Sequence, residues 1–188
     1  MPGPQTLLHL DALVLELPNG LIRAPMNLTI PTGVTLVCGD EGTGKSTLLR
    51  TLAQAATTEV FLMDPADRSV DEVGVRAYWQ AQAKRYSAWR EDVLQDLTQA
   101  LGLAPHLDKS FFMLSTGSRR KVMLAASIAS GAPLVLWDQP FASLDLASIQ
   151  VLHGVLKAAQ AQQRAFVLAD YLPPEGVNLA NTINLDLS

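Results

Sequence analysis

Val34-Thr35-Leu36-Val37-Cys38, running straight into Gly39-Asp40-Glu41-Gly42-Thr43-Gly44-Lys45-Ser46-Thr47, is the stretch that decides the fold of this chain. The first five residues form a compact, mostly apolar run, which reads as a buried strand. The next eight match GxxxxGK[ST] in full, and Lys45 to Ala56 reads as a helix, so the motif has the strand before it and the helix after it that it requires. A chance glycine-rich turn would lack that context. Glycines there let backbone amides turn inward around phosphates, and the helix N-terminus adds partial positive charge. In such a loop Lys45 reaches the β- and γ-phosphates, the Ser46 hydroxyl ligates Mg²⁺, and Thr47 contacts the region of the α-phosphate. The candidate binding residues are therefore Gly39, Asp40, Glu41, Gly42, Thr43, Gly44, Lys45, Ser46 and Thr47, with ATP and Mg²⁺ as the expected ligands.

Outward from this stretch, strand patterns alternate with helical ones. Residues 6–17 carry β-type patterning and Pro18-Asn19-Gly20 reads as a turn. Leu28 to Ile30 is a short strand, and Val60 to Met63 a buried one. Asp71 to about Leu101 has helical spacing. Gly117 to Ser130 is a helix that Gly131-Ala132-Pro133 stops. Leu134 to Trp137 and Ala165 to Ala169 are strands flanking a helix over Leu146 to Gln163, and Thr182 to Leu187 closes a sheet edge. This order predicts one α/β domain with much parallel pairing. The 188 residues suit a single core and 48% of them are hydrophobic, which excludes disorder. A net charge of −4 gives no basic field for nucleic acid. The lone Cys38 excludes an internal disulfide and reads as a packed thiol. No apolar run reaches membrane-span length, and Met1-Pro2-Gly3-Pro4 lacks the features of a signal peptide.

Two later segments narrow the reading. Leu134-Val135-Leu136-Trp137-Asp138 is an apolar strand ending in an acid, which places Asp138 to hold Mg²⁺ beside the phosphate loop. Leu114-Ser115-Thr116-Gly117-Ser118-Arg119-Arg120-Lys121-Val122 resembles the LSGGQ-type signature of ABC ATPases, with Ser115 and Gly117 retained. Ser115 precedes Asp138 by 23 positions (138 − 115), a spacing that fits that family. Ser143-Leu144-Asp145, after Pro140, is similar to the family's D-loop.

The resemblance implies a P-loop NTPase of the α/β class. Specifically, it implies an ABC-type cassette over residues 1–188, with an antiparallel β region and a short helical subdomain at about 68–130. It implies a head-to-tail pair of cassettes, identical or different, in which Ser115 and the Gly117 amide contact the γ-phosphate held by the other copy. It also implies a transmembrane transporter subunit as partner, and a cytoplasmic chain peripheral to the membrane through that subunit. Nucleic acid is not among the implied partners.

The same resemblance exposes departures. The positions of catalysis are Lys45, Asp138, Gln139 and Asp170. Gln139 stands where the family places a general-base glutamate, and an amide does not take up a proton at neutral pH, although it can orient a water. Asp170 stands where a switch histidine is expected, and an ionised carboxylate there repels developing phosphate charge. His9, His106 and His153 do not sit where they could substitute, and read as surface or half-buried side chains. Leu15 and Leu17 occupy the region of the adenine-stacking aromatic, and Asp64 replaces the glutamine that follows Val60 to Met63. Four departures together predict weak hydrolysis in a transporter subunit. The alternative is a non-hydrolysing nucleotide-binding module with a regulatory or structural role, and a small-molecule kinase is argued against by the signature and D-loop. Lys84, Arg85 and Arg90 read as a solvated face, Arg119 to Lys121 as part of the signature helix, and Trp79, Tyr86 and Trp89 as core.

Overall fold

Side-chain alternation along four strands builds the centre of the molecule. The computed structural model describes residues 5–17, 20, 22 and 24–186. Strand β3 (Gly33–Cys38) pairs in parallel with β6 (Ala165–Ala169) and with β7 (Leu179–Asn184). On the other side of β6 come β5 (Leu134–Asp138) and then β4 (Val60–Met63), again parallel, giving the order β4-β5-β6-β3-β7. Val34, Leu36, Phe61, Met63, Val135, Trp137, Phe166 and Leu168 face one way, while Val37, Leu134, Leu136, Val167 and Ala169 face the other. With both faces covered, β4, β5 and β6 read as continuous apolar runs and β3 nearly so, which explains their legibility.

The first face packs on α4 (Thr116–Ala129), α5 (Leu146–Ala158), α2 (Val75–Arg85) and α3 (Glu91–Ala100). The second packs on α1 (Lys45–Ala55) and on a separate antiparallel pair, β1 (Thr6–Leu13) with β2 (Met26–Pro31). Trp137 anchors the first layer. Its ring meets Phe166 edge-on at 5.0 Å and its indole N–H donates to Ser127 Oγ of α4 at 2.8 Å. At the far end of α4, the Arg164 guanidinium donates to the carbonyls of Ala132, Ile128 and Ser127 at 2.9, 3.1 and 3.2 Å. It thereby fills acceptors that a helix C-terminus leaves open.

Three boundaries differ from the pattern-based expectation. The helical stretch 71–101 is two helices, because Tyr86 leaves the helix to stack on Phe61 at 5.2 Å and to donate to the Val60 carbonyl at 2.9 Å. Helix α5 ends at Ala158 rather than Gln163, with Gln163 at φ 55° turning the chain into β6. The last strand starts earlier, at Leu179, and forms the parallel edge beside β3, while Leu187 lies outside the described residues. Pro18 and Asn19 also lie outside them, although the Gly20 amide does bond the Leu17 carbonyl at 2.9 Å. Trp79 and Tyr86 are buried core residues, with Trp79 Nε1 donating to the Val122 carbonyl at 3.1 Å. Cys38 is half-buried with its thiol facing the Ile183 carbonyl at 3.8 Å.

Candidate nucleotide site

Parallel pairing brings three strand ends to one edge. Val37 pairs with Ala169, and Ala169 pairs with Asp138, so Gly39, Asp138 and Asp170 all emerge at the carboxyl edge of β3, β5 and β6. The Asp170 amide donates to the Val37 carbonyl at 3.1 Å and the Gln139 amide to the Ala169 carbonyl at 2.9 Å, extending the ladder past the strands. Crevices at such an edge are where open α/β sheets hold ligands.

The loop Gly39–Ser46 wraps over this edge. Gly39, Gly42 and Gly44 have φ of 143°, 80° and 100°, a region that disfavours any side chain. Gly44 is the N-cap of α1 and makes no side-chain cap, leaving the first-turn amides of α1 without one. A β-carbon at Gly44 would also strike Leu17, the apolar residue that packs under the loop. Asp40 and Glu41 are exposed at the loop tip, with Thr43 behind them donating its hydroxyl to the Asp40 carbonyl at 2.9 Å. Thr47 lines a recess of about 430 Å³ with Glu16, Leu17, Gly20 and Arg50.

Lys45 is buried, and its ammonium donates to the carbonyls of Gly39 at 2.6 Å and Asp40 at 2.8 Å. The ring of Tyr171 lies over the same ammonium, 4.4 Å from centroid to nitrogen, in a cation–π contact. The Ser46 hydroxyl lies near Asp138 and offsets part of the rise in that carboxyl's pKa. Asp138 titrates above the ordinary carboxylate range, chiefly because burial disfavours its charge, with the nearby Asp64 carboxylate adding to the shift. Asp170 is raised for the same first reason, although its Oδ1 accepts the Tyr171 amide at 2.8 Å. Among the described residues no group of three or more His, Cys, Asp and Glu gathers as a metal cage. One half-buried carboxylate, a neighbouring carboxylate and a hydroxyl fit Mg²⁺, which takes few protein ligands beside substrate phosphates.

Gln139 sits directly after Asp138 with φ 47°, a left-handed position on the same edge. Ser115 and Gly117 lie elsewhere, at the exposed N-terminus of α4. Ser115 caps that helix by accepting the Ser118 amide at 3.1 Å. Gly117 is needed for close approach, since a β-carbon there would collide with the Ser143 carbonyl. Arg120 reinforces the same junction by donating to the Ala142 carbonyl at 2.6 Å. The phosphate loop and the signature lie at the N-termini of two different helices, α1 and α4.

Three residues near the site were not among the sequence-based candidates, and a fourth, Asp64, reads there only as a replacement for a glutamine. Tyr171 covers Lys45, and Asp186 accepts the Asp40 amide at 2.8 Å. Asp64 pairs with Arg50 at 2.8 Å and acts electrostatically on Asp138. Arg120 is buried and feels both Asp138 and Asp170, which counter the lowering that burial imposes on its pKa. Asp64 had one signal, its place after β4. The other three are joined to the site only by folding. Beside the Arg50–Asp64 pair opens a groove of about 630 Å³ between sheet and helices, with Phe61, Gln82, Arg85 and Tyr86 along it.

Comparison with known proteins adds the ancestry. The family model described as ABC transporter matches residues 24–142. The chain is 30% identical to the cytochrome c biogenesis ATP-binding export protein CcmA of Gluconobacter oxydans, across 92% of this chain and 84% of that one. It is 26% identical to the petrobactin import ATP-binding protein FpuD of Bacillus anthracis, across 87% and 71% respectively. The solved structure of an ATP-binding subunit of an ABC transporter superposes with a TM-score of 0.77 at 19% identity, covering 89% of this chain and 80% of that one. At that identity the superposition speaks for the fold alone: a P-loop NTPase cassette with a parallel sheet between helices and a small antiparallel sheet. The family match and the 30% identical relative go further, and place the chain in the ABC transporter family as an ATP-binding subunit.

Proposed function

We propose that this chain binds Mg-ATP at the Gly39–Ser46 loop and drives a separate membrane component by pairing with a second cassette, while hydrolysing ATP slowly. The observation that carries the reading is the arrangement at the sheet edge. Lys45 is held by the loop it serves, and Ser46 lies beside the half-buried Asp138. Gly39, Gly42, Thr43 and Gly44 cradle phosphates through their amides, Lys45 binds the β- and γ-phosphates, and Thr47 lies on the nucleoside side. Ser46 and Asp138 hold Mg²⁺, which when bound neutralises charge on the terminal phosphates. Asp40 and Glu41 shape the loop tip.

Ser115 and Gly117 supply the other half of a neighbouring copy's site. Their place at the N-terminus of a 14-residue helix favours an anion. No helix among the described residues is long and apolar enough to cross a membrane. The groove beside Arg50 and Asp64 suits the membrane subunit. An occupant there would touch an ion pair that acts on Asp138, which links docking to the nucleotide site.

Slow turnover follows from two side chains. Gln139 orients a water but takes no proton, and Asp170 brings negative charge toward the γ-phosphate. A general base is worth about 10²- to 10⁴-fold in rate. Turnover by the purified chain with its membrane partner is therefore expected to rise at least ~100-fold on Gln139→Glu. Rapid wild-type turnover, unchanged by that substitution, would refute slow hydrolysis. Absent turnover in both forms would favour the binding-only module. Co-purification with a multi-span protein tests the transporter assignment.

A further inference from the structure

The turn at Ala104–His106 delivers an imidazole to the signature. His106 Nε2 lies 3.2 Å from Ser118 Oγ, and Ser118 Oγ accepts the Ser115 hydroxyl at 2.9 Å. On the other side of the ring, Nδ1 faces the Lys109 ammonium at 3.4 Å. An ammonium only donates, so Nδ1 must accept and Nε2 must carry the proton. The neutral tautomer is therefore fixed by Lys109, and it donates to Ser118. The Ser118 amide in turn donates to Ser115 Oγ at 3.1 Å, closing the loop of bonds on the signature serine.

We propose that His106 is a positioning residue for the signature: its neutral, Nε2-protonated ring sets the Ser118 and Ser115 hydroxyls, and through them the face α4 offers to ATP held by a second cassette. The last step rests on the pairing proposed above. Burial, then Lys109, then Lys121 push the His106 pKa down, so the neutral form holds at neutral pH. Lys121 carries its charge from α4, paired with Asp145 at 2.5 Å, and Asp108 beside the turn is taken up by Arg76 at 2.8 Å. A second proton on the ring would turn Nδ1–H against the Lys109 ammonium and release the network. The contribution is thus complete at and above neutral pH and is lost as pH falls through the lowered pKa.

The test uses the full chain with His106→Ala and His106→Gln, the amide of glutamine replacing the Nε2–H donor. Without ATP, NMR should show the Ser118 amide shift following the titration of the His106 ring. With ATP, sedimentation at pH 7.5 should give His106→Gln association within about 3-fold of wild type, and His106→Ala association ~3- to 10-fold weaker, the value of about one hydrogen bond. As pH is lowered through the His106 titration followed by NMR, wild type should weaken relative to His106→Gln. An unresponsive Ser118 amide overturns the inference, as does His106→Ala matching wild type or His106→Gln matching the wild-type pH profile. A wild-type chain that never associates with ATP sinks the pairing itself, and the ATP-free titration separates that failure from this one.

Discussion

Under the proposed function helices α1 and α4 both offer an N-terminus to a phosphate, and the structure finishes the two ends in opposite ways. At α1 the cap is Gly44, left-handed and without a side-chain bond. At α4 the cap is Ser115, whose oxygen already takes the Ser118 amide. One end is built as a receptor and relies on its ligand to fill the first-turn donors. The other has one first-turn amide satisfied by its own cap and, under that reading, meets its phosphate later. The difference suits a chain whose own nucleotide comes first and whose partner's nucleotide comes second.

The most direct way to break this contrast is Lys45→Ala. Charged hydrogen bonds are worth about 1.5–3 kcal/mol each, so ATP affinity by calorimetry should fall roughly 10- to 100-fold or more. Affinity held within twofold would mean that the α1 end is not the receptor. A middle-sized effect is expected where α4 is held, at its far end. Arg164→Ala removes the guanidinium from the carbonyls of Ser127, Ile128 and Ala132, of which Ser127 keeps the Ser130 hydroxyl and Ile128 the Gly131 amide. Stability should drop by about 2 kcal/mol, a fall in Tm of roughly 4–8 °C by scanning calorimetry, with ATP affinity little changed. The smallest effect belongs to Ser115→Ala. It should cost ~1 kcal/mol of stability through the lost cap and leave the chain's own ATP affinity unaltered, while weakening ATP-driven pairing. If ATP affinity of the isolated chain fell as much as with Lys45→Ala, the two ends would not be distinct.

Much of this was legible before any coordinates, and the reasons are physical. The five-strand sheet is covered on both faces, so β5 and β6 appear as unbroken apolar runs and β3 nearly so, and the glycines of the loop announce a backbone that only they tolerate. Asp138 was readable because a strand end beside the loop has one place to go. What stayed hidden depends on distance in sequence. Tyr171 meets Lys45 across a β-strand pairing, and Asp186 reaches Asp40 from the other end of the chain. Arg120 reads as one of three basic residues on a helix, although it is buried, donates to the Ala142 carbonyl and feels both site carboxylates. His106 reads as a surface histidine because nothing in its neighbourhood of sequence mentions Ser118. The break at Tyr86 was invisible for the same reason, since Phe61 and Val60 draw it out of the helix from another strand.

The aromatic lid on Lys45 has a consequence in time rather than in affinity. Two faces of the ammonium rest on carbonyls and the third lies under the Tyr171 ring, so an arriving phosphate meets a cation with no open side. Tyr171 is half exposed at 51% and belongs to neither strand nor helix, which makes it the group that yields. ATP would then enter only through the fraction of molecules whose ring has already swung away. The observed binding rate should level off as ATP is raised instead of climbing in proportion. In Tyr171→Ala the plateau should vanish, turning a nucleotide site that waits for its own side chain into one limited by encounter alone.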